Sequence, residues 1–381
     1  MKLPKLRFKD DLGYEFPGFE MNILGDVSDV RDGTHDSPIY HPQGYPLITS
    51  RNLLDNGEID LENVNLISEA DFININKRSK VDSGDILFGM IGTIGNPVIV
   101  KSANFAIKNV ALIKEKNKLQ NIFLVQYLKS NAALRQFDNV TVGNSQKFIA
   151  LGKLRQLEIQ IPCLNEQTKI ANFLGAVDEK ITHLTQKYDL LAQYKKGVMQ
   201  QIFSQELRFR DEDGSEFPDW EEKNIGEVLT IGSGKDYKHL SAGTVPVYGT
   251  GGHMLSVNEY LYDGESVCIG RKGTIDKPIL LNGKFWTVDT LFYTHSFRNC
   301  IPKFIYAVFQ QIDWKNYNEA SGVPSLSKST IEKIKISLPS IEEQIKIANL
   351  LTALDYKISQ TQAELDVVKQ YKQGLLQQMF V

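Results

Sequence analysis

The chain contains one unit twice. The stretch that opens with Ile161-Pro162-Cys163-Leu164-Asn165-Glu166-Gln167 returns 177 positions later as Leu338-Pro339-Ser340-Ile341-Glu342-Glu343-Gln344. Leu6-Arg7-Phe8-Lys9-Asp10 returns at a second offset, 201, as Leu207-Arg208-Phe209-Arg210-Asp211, and Glu15-Phe16-Pro17 as Glu216-Phe217-Pro218. Residues 3–203 and 204–380 are therefore two copies that share their beginnings and ends. The offsets differ by 24, so the length difference lies in the middle, where the copies are also least alike. A shared frame with unlike middles implies one scaffold presenting two different surfaces.

At 381 residues and 42% hydrophobic content, the chain can form two domains, each with its own core. No apolar run approaches the ~20 residues of a membrane helix. Met1-Lys2-Leu3-Pro4-Lys5 leads into mixed charge rather than a signal sequence, so a cytoplasmic protein is expected. Cys163, Cys268 and Cys300 are far apart and without a C-x-x-C pair, and His35 and His41 lack clustered companions, so neither a disulfide framework nor a metal site is indicated. A net charge of −3 excludes a wholly basic coat but leaves room for a local basic groove.

The two unit ends read as long helices. Ile170, Leu174, Val177, Ile181, Leu184, Tyr188 and Leu191 alternate in steps of four and three, and the second copy repeats the register with Ile347, Leu351, Leu354, Ile358, Leu365 and Val368. Asn165 and Glu342 stand near the expected starts, with Glu166 and Glu343 in the first turns. A single apolar stripe usually packs on a domain core, but two in matching register favour mutual pairing. Lys195 and Lys372, flanked by Tyr194 and Tyr371, interrupt both seams. They mark a place where the pair splays or something docks, or where the seam drifts to the tyrosines. At 1.5 Å per residue such a helix is roughly 55 Å long, enough to act as a ruler.

The middles hold short β-type runs bounded by Gly, Pro and Asn: 45–50, 84–89 and 96–100 in the first copy, 245–249, 264–270 and 277–281 in the second. A Gly-x-x-Gly-Thr-Ile element occurs in each, at Gly89–Ile94 and Gly270–Ile275. Residues 121–137 and 301–314 have the spacing of short helices. Each middle is a mixed α/β domain.

Catalytic motifs fail on spacing. Asp219, Glu221 and Lys223 have nuclease ingredients packed too closely to surround one metal, and Gly232-Ser233-Gly234-Lys235 lacks the spacing of a phosphate loop. Binding leaves more traces. Arg271 and Lys272 lie between two glycines, where a turn sets a guanidinium against phosphate or guanine, or merely leaves the cations solvated. Asn144, Gln146 and Lys147 in one copy, and Ser325 and Lys328 in the other, occupy equivalent places ahead of the long helices, as base-reading or helix-capping residues.

The duplicated Pro-x-x-x-Glu-Gln-x-Lys-Ile-Ala helix starts at Pro162 and Pro339, the helix ends around Tyr194-Lys195 and Tyr371-Lys372, the Leu-Arg-Phe-x-Asp and Glu-Phe-Pro entries and the Gly-Thr-Ile elements together resemble the specificity subunits of type I restriction-modification systems. The resemblance covers essentially the whole chain. It implies an α+β architecture: two target-recognition domains, 1–160 and 204–337, and two helices, 161–203 and 338–381, that pair as an antiparallel coiled coil with pseudo-twofold organisation. It also implies a non-catalytic reader of bipartite, asymmetric double-stranded DNA, bound to two modification subunits that bring S-adenosylmethionine and to motor-nuclease subunits that use ATP and Mg²⁺. Roughly 55 Å of helix corresponds to ~16 base pairs. The candidate DNA contacts are Lys77, Arg78, Lys80, Thr93, Asn144, Gln146, Lys147, Lys235, Arg271, Lys272, Thr274, Ser325 and Lys328. The competing readings are a protein-binding adaptor with twin domains on a coiled-coil spacer, and a cryptic nuclease.

Overall fold

The structure, a computed structural model, describes residues 4–142 and 147–381. The chain divides into two compact units, residues 1–187 with 361–381, and residues 188–360. The long helices, Leu164–Phe203 and Ile341–Met379, each contribute one part to each unit.

In the first unit a four-stranded antiparallel sheet has the order Asp29–Asp32, Val110–Lys114, Ile86–Gly89, Gly95–Ile99. Its inner strands are apolar on both faces because each face meets a core. Ile86, Phe88, Ala111 and Ile113 point into one cluster, and Leu87, Val110 and Leu112 into the other, the two-residue period of a strand. A second sheet, in the order Tyr40–His41, Asn65–Ile67, Tyr45–Ile48, Ala106–Ile107, closes with a parallel pair. Glu20–Ile23 pairs with Glu158–Ile161 immediately before the first long helix.

The second unit repeats the order of the first sheet and two of the three pairings of the other, whose remaining strand, here Tyr262–Asp263, joins the edge opposite to that taken by Tyr40–His41. Its sheet Thr230–Ser233, Leu291–His295, Ser266–Gly270, Ile279–Leu281 is antiparallel, and its other sheet again contains a parallel pair, Ala242–Gly249 with Lys284–Thr287. Val267 and Ile269 face the large cluster and Cys268 the small one. Burial pushes the Cys268 thiol up to about 12 and Cys300 to about 11, which keeps both protonated. The middles thus diverge in sequence and length while keeping the same strand plan apart from one edge strand. Most of the extra length lies in residues 49–85, where the first unit adds the helix Glu69–Ser79 and the second has only the segment 249–265.

The repeated motifs correspond to contacts made twice. Arg7 sends Nε and Nη2 to the fully buried Glu166 at 3.1 and 2.6 Å, and Nη2 to the Pro17 carbonyl at 2.6 Å. Arg208 does the same to Glu343, at 3.3 and 2.8 Å, and to Pro218 at 2.6 Å. Gln167 donates to the Pro162 and Lys118 carbonyls and accepts from the Gln120 amide; Gln344 donates to Pro339 and Asn299 and accepts from Ile301. Lys169 and Lys346 reach the Lys9 and Arg210 carbonyls. In the entry turns, Asp10 accepts from the Leu12 and Tyr14 amides, and Asp211 from Asp213 and Ser215. Each entry strand is thereby fastened to the start of its own long helix. The second helix begins one residue before Glu342 and is capped by Ser340, whose hydroxyl accepts from the Glu343 amide.

Within each unit the long helices run antiparallel. Asp178 is bonded to Lys372 and Lys180 to Glu364 in the first unit, while Lys195 meets Asp355 at 2.6 Å in the second. Ile170, Leu174, Val177, Leu184, Ile347, Leu351, Leu354 and Leu365 are buried; Ile181, Tyr188, Leu191, Ile358 and Val368 are half-buried. Both expectations for an apolar stripe apply together, because the ends of the seam enter the domain cores: Ile170, Leu174 and Val177 in one, Ile347, Leu351 and Leu354 in the other. The interruptions at Lys195 and Lys372 neither splay the helices nor pass the seam to the tyrosines. Tyr194 and Tyr371 are exposed, and each lysine occupies the seam, bonded to an aspartate of the facing helix.

Candidate nucleic-acid interface

Each Gly-x-x-Gly-Thr-Ile element is the tip of a hairpin, between Ile86–Gly89 and Gly95–Ile99 in the first unit and between Ser266–Gly270 and Ile279–Leu281 in the second. The leading glycine is obligatory, since a Cβ on Gly270 would lie 1.9 Å from the Thr274 carbonyl oxygen, and on Gly89 2.4 Å from that of Thr93. Each tip is then stitched to the loop preceding the next long helix. In the first unit Gly92 donates to the Lys147 carbonyl and Ile149 to that of Met90; in the second Gly273 donates to Pro324 and Leu326 to Arg271. Two motifs far apart in sequence meet in the same way in both units.

In the second unit this junction forms an open cleft of about 430 Å³ lined by Arg271, Lys272, Ser325 and Lys328, together with Ser233, Phe292, Glu319, Leu326 and Ser327. The Arg271 amide donates to Thr290 at 2.8 Å, and its guanidinium lies 5.8 Å from the centre of the Phe292 ring. Glu319 accepts from the Thr330 and Ser327 hydroxyls, which hold its carboxylate below the usual range. Lys328 pairs with Glu332 at 3.6 Å. Among the described residues, Arg271 and Lys272 form no ion pair. Thr274 is half-buried at the tip, and Lys235 is exposed beyond the strand Thr230–Ser233, its amide bonded to Thr287.

The first unit offers different chemistry at the matching place. Met90 and Ile91 stand where Arg271 and Lys272 stand, and Val142 and Phe148 bond each other's backbone beside them. Thr93 and Lys147 are exposed there, while Asn144 and Gln146 lie outside the described residues. Lys77, Arg78 and Lys80 belong to the helix Glu69–Ser79 and its end, the segment without a counterpart in the second unit. Arg78 is committed to the buried Asp32, which also bonds His35 Nε2 at 2.8 Å, beside a cleft of about 360 Å³. Asn109 and Asp32 accept from the two ring nitrogens of His35 and raise its pKa. Lys80 pairs with Asp82 at 3.3 Å, while Lys77 is exposed. The eleven described candidates therefore divide among several surfaces, and among them only Arg271, Lys272, Ser325 and Lys328 line one cleft.

Among the described residues no three His, Cys, Asp or Glu side chains gather where they could hold a metal ion. Asp219 is fully exposed near Arg208, and Glu221 pairs with Lys223 along one strand, so the nuclease ingredients do not converge. No helix of the described residues is long and apolar enough to cross a membrane.

A family model described as the type I restriction modification DNA specificity domain matches residues 18–193 and again residues 218–370. The chain belongs to this family. Similar specificity-domain proteins include the type I restriction enzyme MjaVIII specificity subunit of Methanocaldococcus jannaschii, 23% identical over 80% of each chain. The type I restriction enzyme EcoprrI specificity subunit of Escherichia coli is 21% identical over 71% of each. The crystal structure of a type I restriction-modification system S subunit from M. genitalium has the same fold, with a TM-score of 0.71 over 100% of this chain and 99% of that one, at 20% identity. The candidates did not include Ser233, Glu319 and Ser327 of the specificity-domain cleft: Ser233 and Ser327 stand in stretches nominated for Lys235 and for Ser325 and Lys328, and Glu319 carries no motif. Arg7, Glu166, Arg208 and Glu343 stand within the repeated motifs, and their recurrence in both copies is the signal that they share a task.

Proposed function

We propose that this chain is the sequence-reading subunit of a type I restriction-modification complex, working in the cytoplasm on duplex DNA. The domains 1–160 and 204–337 each read one half of a bipartite, asymmetric target, and the helices 161–203 and 338–381 set the spacing. The chain itself carries no catalytic group in this reading, and directs methylation or cleavage by its partners. The observation that carries it is the repeated stitching of hairpin tip to pre-helix loop, with cations at one tip and apolar groups at the other. One scaffold with two unlike tips suits two unlike half-sites.

Partner binding is assigned to the outer faces of the helices. Leu190 and Tyr194 are exposed by 64% and 59%, and their repeat equivalents Val367 and Tyr371 by 64% and 54%. Each pair lies one helical turn apart on a surface that is otherwise polar. The same apolar patch made twice suits two copies of one partner, the modification subunit. Selection from random duplex tests the reading: two gapped half-sites are expected, and binding without sequence preference would reject it. L190D/Y194D should lower the bound modification subunits from two to one, as read by native mass measurement.

A further inference from the structure

We propose that the two hairpin tips divide the target by base chemistry. Arg271 of the second domain reads a guanine, whereas Val142, Phe148 and Thr93 of the first read thymine methyl groups. This rests on the DNA-reading function proposed above.

The two tips have equivalent backbone positions and unlike side chains. Arg271 is fixed on both sides, its N–H donating to Thr290 at 2.8 Å and its carbonyl accepting from Leu326 at 2.9 Å. Its side chain is exposed and forms no ion pair among the described residues, although Glu319 lines the same cleft. Glu319 is engaged by hydroxyls on its own side of the cleft, and the guanidinium keeps its donors for a ligand. A planar fork with free donors matches the O6 and N7 acceptors that guanine shows in the major groove. The guanidinium carbon lies 5.8 Å from the centre of the Phe292 ring, within cation–π reach, which favours this placement of the fork at the cleft.

In the first domain the matching positions are Met90, which is buried, and Ile91, which is half-buried. Next to them Val142 and Phe148 exchange backbone hydrogen bonds of 3.0 and 2.9 Å, which holds an apolar strip in place. Val142 is 58% and Phe148 40% exposed, so the strip is built and open. Thr93 adds a methyl at the hairpin tip. The only apolar feature of a base edge in the major groove is the thymine methyl.

The test uses the full chain and selection from random duplex. R271K keeps the charge and loses the fork. It should relax preference at one G·C pair in one half-site by roughly 5- to 150-fold, the range of one bidentate contact, and leave the other half-site unchanged. R271A should do the same. Deoxyuridine in place of thymidine removes the methyl; it should weaken binding in the half-site that R271K does not affect, and not in the other. If R271A weakens all sequences equally and reduces the salt slope by about 1, while R271K, which keeps the charge, leaves sequence preference unchanged, Arg271 holds a phosphate and the proposal is overturned. Equal binding of thymidine and deoxyuridine duplexes overturns the methyl-reading half. A failure to select any bipartite target counts instead against the DNA-reading function, a result separable from the other two.

Discussion

Replacing Arg7 by alanine should destabilise the first unit far more than replacing Arg208 destabilises the second, although the two arginines make the same clamp. Glu166 and Glu343 are both fully buried, while each arginine is 23% exposed. Glu166 takes its side-chain hydrogen bonds from Arg7 alone among the described residues, so R7A leaves a buried carboxylate without a donor. Breaking a buried pair by removing one partner costs about 3–5 kcal/mol. In the second unit Trp220 replaces Phe19, and its Nε1 donates to Glu343 at 3.1 Å. That bond survives R208A and is worth about 1.5–3 kcal/mol to a charged acceptor, so the cost should fall to about 1–3 kcal/mol. The second unit also supplies the assay, because all three tryptophans, Trp220, Trp286 and Trp314, lie within it. Their fluorescence during urea unfolding reports that unit, and far-ultraviolet circular dichroism reports both. The double change R208A/W220F should raise the cost to that of R7A. An R7A cost below about 1 kcal/mol, or an R208A cost equal to that of R7A with Trp220 in place, would refute this difference between the clamps.

The interhelix pairs should also prove unequal. Lys372 is 9% exposed beside Asp178, with Lys129 nearby, whereas Lys195 is 13% and Asp355 45% exposed, so D178N should lower the urea midpoint more than D355N; equal shifts would contradict this. His35 gives a pH dependence. The Asn109 oxygen and the Asp32 carboxylate raise its pKa against burial and the nearby Arg78. Its contribution is therefore complete below the unfolded value of about 6.5 and is lost as pH rises through the higher folded value. H35Q should flatten the stability profile of the first unit across that window, and an unchanged slope would remove His35 as the cause.

The frame was legible in the sequence because it is repeated, and because apolar residues spaced at a mean of 3.5 over so many turns fit a paired helix and neither a strand nor a loop. Leu174 and Leu351 show this for the helices, and Arg7 and Arg208 for the entries. Three matched strands of each middle were legible around the repeated Gly-Thr-Ile element, but the sheet order and the remaining strands were not. Buried strands such as Val110–Lys114 and Leu291–His295 require only apolar or β-branched residues, so related topology survives with little identity. The helix Glu69–Ser79 went unread because its few apolar residues give no strong stripe. Its signals were at the ends: Ser68 three residues before Asp71, where the Ser68 hydroxyl caps the first turn, acidic Glu69 beside it, and Lys77 and Arg78 in the last turn. At the interface, the motif residues Arg271 and Ser325 could be nominated, but that they share a cleft depends on the strand order that brings residue 271 beside residue 325. Arg78 looked like a free cation only because Asp32, its partner, is distant in sequence.

The central claim is that the helices set the distance between two half-sites, and removing one heptad from each helix addresses it most directly. Seven residues at 1.5 Å per residue are about 10.5 Å, or about three base pairs at 3.4 Å. Targets selected by the shortened chain should keep both half-sites and lose about three base pairs between them. Recovery of the same half-sites at the original spacing would contradict the account.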